Sequence, residues 1–283
     1  MQALTKHILR ISIGLGTVLA LFGAESAAAA QALPPDAEGA LARLDASPRH
    51  GEWVTYDAGG GDMVRAWVTY PERSDPAPVV VVIHEIFGMT DWVRSVADQL
   101  SADGFIAIAP DLLSGAGTGG GGSETLDQQA SVAAIQTLDR ADVNRRLRAA
   151  AAYGTALPSA TDRVGAVGYC WGGSTSFLFA VDFADLDAAV VYYGGAPEDG
   201  LGDIRAPVLG LYGGDDNRVN SSIPRAEQAM SGPRQSFEPH IFDGAGHGFL
   251  RAQSGKDGAN MRATSQAWPL TIDFFRTHLG DSN

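Results

Sequence analysis

The chain has 283 residues, 45% of them hydrophobic and 19% charged, enough apolar material for one substantial core. Its formal net charge is −13 and it carries no basic run, which argues against a nucleic-acid binder or a protein held to an anionic membrane surface. Cys170 is the single cysteine, so an internal disulfide is excluded and this residue is either a small buried hydrophobe or a reactive thiol.

Taken in chain order, residues 1–30 read as a signal peptide. Lys6 and Arg10 form a basic start, Ile11 to Phe22 an apolar run too short to span a bilayer, and Ala28-Ala29-Ala30 a small-residue cleavage site. The expected location is therefore periplasmic or secreted, with no membrane contact after cleavage. Residues 31–50, rich in Pro, Ala and charge, read as a mobile or loosely docked leader, and residues 51–283 as one domain.

Glu52–Asp57 and Met63–Tyr70 are strand-like, the second alternating apolar and polar residues as a half-buried strand does. Val79–Ile83 is a continuous β-branched run, suited to a parallel strand buried on both faces. Val93, Val96 and Leu100 recur at helical spacing, with Gly104 as the terminal cap. Phe105–Ala109 forms the next strand, and helices are expected over Glu124–Leu138 and Ala141–Tyr153. Gly115–Gly122 is a glycine-rich loop at the rim. Its literal G-x-G-x-x-G is set apart from the strand by Asp111–Ser114 and opens no helix, so a dinucleotide site is rejected. Further strands are expected at Arg163–Gly168, Ala188–Tyr193, Pro207–Tyr212 and Ser236–Phe242. Helices are expected at Ser174–Val181, Ile223–Met230 and Ala263–Leu279. Strands alternating with helices imply a mostly parallel sheet covered on both faces.

The sharpest local signal is Gly168-Tyr169-Cys170-Trp171-Gly172, the form G-x-nucleophile-x-G between a strand and a helix. This is the nucleophile elbow of the α/β-hydrolase fold, and it puts the thiol at a helix N-terminus, where the dipole favours a thiolate. In that fold the acid and the histidine follow the nucleophile in loops after later strands. Asp215 and Asp216 follow one such strand, and His247 follows another. Chemistry alone does not separate the two aspartates. His247 would hold the Cys170 proton while the thiolate attacks an acyl carbon, and water would then release the acid. One oxyanion donor is the N–H of Trp171, and the other lies near Glu85-Ile86-Phe87. The six histidines show no zinc-binding spacing, so neither a metal nor any other cofactor is expected.

These stretches, with His84-Glu85-Ile86-Phe87-Gly88, Ala109-Pro110-Asp111-Leu112, Tyr192-Tyr193-Gly194 and Ala245-Gly246-His247-Gly248-Phe249, resemble the dienelactone hydrolase (carboxymethylenebutenolidase-like) family. The resemblance implies Asp216 as the triad acid, Ile86 and Trp171 as the oxyanion donors, and Glu85 as a carboxylate that takes part in activating the thiol. It implies Arg251 and Phe87 as substrate-binding residues. Familiar members hold a substrate carboxylate with two arginines, and Arg251 matches the second. The first has no counterpart, because the stretch Ser123–Asp139 carries neither Arg nor Lys. That departure and the signal peptide point to a substrate other than dienelactone.

The expectation is an exported, cysteine-dependent hydrolase of a small ester, lactone or enol ester, acting as a monomer or small homo-oligomer. An acyltransferase or peptidase on the same scaffold and a non-catalytic binding protein are the alternatives.

Overall fold

Val79 to Ile83 are wholly buried, and their side chains alternate between two apolar layers. Such a strand must have helices on both sides, and the rest of the chain supplies them. The computed structural model describes residues 32–233 and 235–280. The signal-peptide reading falls on residues 1–30 and lies outside the described residues.

The elements run α1 (Ala40–Asp45), β1 (Gly51–Asp57), β2 (Met63–Thr69), β3 (Ala77–Ile83), α2 (Asp91–Ala102), β4 (Ile106–Pro110), α3 (Gln128–Ile135) and α4 (Arg140–Thr155). There follow β5 (Ala160–Tyr169), α5 (Trp171–Asp182), β6 (Ala188–Tyr192), β7 (Val208–Gly213), α6 (Asn217–Asn220), α7 (Ile223–Ala229), β8 (Phe237–Phe242) and α8 (Ala259–Leu279). Among the described residues the strands make one eight-stranded sheet in the order β1-β2-β4-β3-β5-β6-β7-β8. β1 and β2 pair antiparallel, β2 pairs antiparallel with β4, and every later pairing is parallel. This is the α/β-hydrolase fold.

On one face Val79, Val81 and Ile83 pack with Leu147 of α4 and Phe177 of α5. On the other, Val80 and Val82 pack with Trp92 and Leu100 of α2 and Trp268 and Phe275 of α8. The register then decides where the site forms. Ile83 pairs with Gly168, Tyr169 with Tyr192, Leu211 with Tyr192, and Gly213 with Phe242. The carboxyl ends of β3, β5, β6, β7 and β8 are thus level, and the loops leaving them share one edge of the sheet.

Two expectations change. The helix expected over Glu124–Leu138 is confined to Gln128–Ile135, because the Asp127 side chain accepts the Ala130 N–H and starts the helix there. The segment from Ala32 to His50, expected to be mobile or loosely docked, packs against the domain. Ala40 of α1 is buried, Arg49 makes a two-pronged ion pair with the buried Asp98 (2.9 and 2.6 Å), and the Gln253 amide donates to the Pro34 carbonyl at 2.9 Å. Composition hides these contacts, since the acceptors at Pro34 and Pro35 are backbone carbonyls.

Candidate active site

The chain turns from β5 into α5 at Cys170, which has φ +57° and ψ −116°, a backbone state that L-residues rarely hold. The flanking glycines make the turn possible. A Cβ on Gly168 would lie 1.8 Å from the Gly172 carbonyl oxygen, and one on Gly172 would lie 2.3 Å from that of Ile83. The elbow therefore packs directly on the end of β3, from which the Glu85–Gly88 turn departs.

That closeness brings two backbone donors together. The backbone N–H groups of Trp171 and Ile86 both act on the Cys170 thiol and favour its charged form. Convergence of two N–H groups from different loops on one point is the geometry an oxyanion site requires.

On the loop after β8, His247 Nδ1 lies 2.5 Å from Asp216 Oδ2. Asp216 is buried; its other oxygen accepts the Val219 N–H and caps α6. Asp215 instead faces Lys256, 3.0 Å from its Nζ, and is half exposed. The structure thus separates two carboxylates that chemistry alone left equivalent. The Tyr193 ring meets the His247 ring edge-on at 5.2 Å and holds it from one side.

The thiol differs from the dipole-based expectation. Burial pushes the Cys170 thiol above its ordinary value and the Glu85 carboxylate pushes the same way, outweighing the opposing Trp171 N–H, the Arg218 guanidinium and the Ile86 N–H. Loss of solvation acts on the whole charge, whereas the helix end supplies partial charges only. Among the described residues no hydrogen bond joins Cys170 to His247.

Glu85, Arg251 and Phe87 meet as a group. Arg251 Nε is 3.2 Å from Glu85 Oε2, and its guanidinium lies over the Phe87 ring, 4.8 Å from the centroid. Burial raises the Glu85 carboxyl to about 7, against the pull of Arg251. Between about 4.5 and about 7 the folded protein therefore keeps a proton that the unfolded chain has released. Folding stability must fall as pH rises through that window, by an amount on the order of 3 kcal/mol, and the penalty is constant above it. Urea unfolding of wild type and Glu85→Gln at pH 5 and pH 7.5 checks this. The difference between the two proteins should move in favour of the Gln variant as pH rises; a pH-independent difference would contradict it.

Several residues at the site were not singled out from sequence. Tyr193 has φ +39° and a buried hydroxyl without a partner, and the buried Tyr169 hydroxyl has none either. Arg218 bears on the thiol from α6. The doubled tyrosine after a strand was visible, but nothing local to it indicated a packing role against histidine. No group of three or more possible metal ligands occurs among the described residues.

Residues 64–279 match the model of the dienelactone hydrolase family. A carboxymethylenebutenolidase of Pseudomonas putida is 30% identical over 228 residues, which cover 79% of this chain and 95% of that protein. The crystal structure of a dienelactone hydrolase-like promiscuous phosphotriesterase from metagenomic libraries superposes with a TM-score of 0.68 at 26% identity, covering 82% of this chain and 99% of that one. The dienelactone hydrolase of Anabaena variabilis shares the fold, with a TM-score of 0.62 at 21% identity over 82% of this chain and 99% of its own. The chain belongs to the dienelactone hydrolase family and is, as a member, a hydrolase of carboxylic ester bonds.

Proposed function

We propose that this protein is an exported thiol hydrolase that opens a small ester or lactone through a covalent thioester on Cys170. The observation that carries this reading is Cys170 at the β5–α5 elbow, with the Ile86 and Trp171 N–H groups acting on its thiol and the His247–Asp216 pair on loops at the same edge of the sheet.

In the reaction the thiol's proton passes to His247, with Glu85 as its first acceptor, and sulfur attacks the acyl carbon. The carbonyl electron pair moves onto oxygen, where the two N–H groups receive the charge. The C–O bond of the leaving group then breaks, and the leaving oxygen takes a proton from the imidazolium of His247. Water, deprotonated by His247, attacks the thioester, and the C–S bond breaks to give the acid and the free thiol. Asp216 holds the imidazole by Nδ1 and stabilises its charged form.

Glu85 governs how the thiol is first deprotonated. A carboxyl with a pKa of about 7 can take up a proton near neutrality. A substrate carboxylate that drew Arg251 away would remove the charge that keeps Glu85 ionised and make it a better base. Arg251→Ala should therefore lower kcat/KM for a carboxylate-bearing ester about tenfold more than for a neutral ester of equal size. A panel of paired charged and neutral esters and lactones measures this. Equal losses on both would show that Arg251 does not recognise a substrate carboxylate.

Export is the remaining part of the proposal, supported by the basic start, apolar run and Ala28-Ala29-Ala30 site. Mass measurement of protein from the periplasmic or extracellular fraction should find an N-terminus at Gln31. Full-length chain confined to the cytosol would contradict it.

A further inference from the structure

The loop that follows β4 reaches the Glu85–Met89 segment at two points, and neither contact is used by the chemistry above. At the first, the fully buried His84 ring bridges two backbones. Its Nδ1 lies 2.8 Å from the Glu85 carbonyl oxygen, and its Nε2 lies 3.2 Å from the Leu112 nitrogen. One neutral tautomer satisfies both contacts, with Nδ1–H donating to Glu85 and Nε2 accepting the Leu112 N–H. Burial, which lowers the imidazole pKa, favours that neutral form. The same ring stacks on the Trp171 indole, with centroids 5.7 Å apart and planes 23° from parallel.

At the second point, the buried Asp111 accepts the Ser123 hydroxyl at 2.6 Å and the Ser123 N–H at 2.7 Å. The Ser123 oxygen in turn accepts the Met89 N–H at 2.9 Å. Between these anchors the Glu85 carbonyl also accepts the Gly88 N–H, closing a turn around Ile86. A Cβ on Gly88, which sits at φ +72°, would lie 2.3 Å from the Ser123 oxygen, so the turn and the serine are closely fitted.

We propose that His84 and the Asp111–Ser123 pair are positioning residues for the oxyanion site, holding the Ile86 and Trp171 N–H groups at a fixed separation and direction. This rests on the reading of those two N–H groups as the oxyanion donors. His84 has no accessible surface, so it acts through the two loops and never on substrate. Donors set in advance cost no reorganisation when charge develops on oxygen, and their displacement shows in the transition state more than in the bound substrate. The glycine-rich segment Gly115–Gly122 lies between the two anchors in sequence, while the residues that do the holding flank it.

The test compares wild type, His84→Ala, His84→Gln and Ser123→Ala on the best ester of the panel. It adds inhibition by the aldehyde of the same acyl group, which adds to the thiol as a hemithioacetal, and by the product acid. His84→Ala should lose at least about tenfold in kcat with KM within about twofold. The aldehyde should weaken in step with kcat and the product acid should not. Gln carries both a donor and an acceptor and should recover kcat to within about threefold of wild type. Ser123→Ala should lose roughly three- to tenfold in kcat by the same mechanism.

Wild-type kcat in His84→Ala, or in Ser123→Ala should His84→Ala not fold, overturns the proposal. So does equal weakening of aldehyde and product acid, the mark of a collapsed site. Turnover by Cys170→Ala in the same assay would remove the thiol reading itself, a failure distinct from either.

Discussion

Cys170→Ala is expected to lose at least about 10⁴-fold in kcat, the scale seen when a nucleophile that acts as a unit with its base is removed. The variant should fold as wild type does. The Cβ that tolerates φ +57° is retained, and the glycines that allow the close contact with Ile83 are untouched. Only the sulfur is lost, and with it the C–S bond of the intermediate. Some acceleration over water should survive, because the Ile86 and Trp171 N–H groups and the His247–Asp216 pair are still present. Steady-state kinetics on a responsive ester, with the thermal midpoint as a folding control, checks this. Undiminished turnover by the Ala variant would contradict it.

Asp216→Asn should cost about 10³- to 10⁴-fold in kcat while leaving stability within about 0.5 kcal/mol. The two effects separate because Asp216 has two tasks. Its Oδ1 caps α6 by accepting the Val219 N–H, and an Asn side chain keeps that acceptor. Its Oδ2 lies 2.5 Å from His247 Nδ1, where an amide N–H would favour the wrong tautomer and could not stabilise the charged imidazole. Asp215→Asn is the control. Its ion pair with Lys256 is half exposed, so activity should stay within about twofold and stability within about 1 kcal/mol. A comparable loss from both substitutions would place the acid elsewhere.

Much of this molecule could be read before its coordinates. The β-branched run at Val79–Ile83 has one satisfactory location, a strand covered on both faces, and the structure puts it at the centre of the sheet. The elbow was legible because glycine is required where backbones touch, and its spacing around Cys170 leaves few alternatives. The order of cysteine, aspartate and histidine located the three loops. Register then brought them level, a property of the strand pairing that no single segment displays.

What escaped the reading depended on partners distant in sequence. The forces that raise the Cys170 pKa were not legible, because the helix end is local whereas burial and Glu85 come from the assembled fold. His84 was noted as part of the His84–Gly88 stretch but given no role, while its partners are Glu85, Leu112 and Trp171. The Pro-rich leader looked loose because its contacts run through backbone carbonyls and through Arg49 to Asp98. The four-residue helix α6 is too short to leave a periodic signal.

The central claim is that the acyl group passes through sulfur at Cys170. Its most direct test is to quench wild-type protein during turnover of a responsive ester at low pH, then measure intact mass and map the modified peptide. A mass increase equal to the acyl group, located on Cys170 and absent from Cys170→Ala, is the result the account predicts. An acyl group on another residue, or turnover with no acyl-enzyme in either protein and equal rates from both, would contradict it.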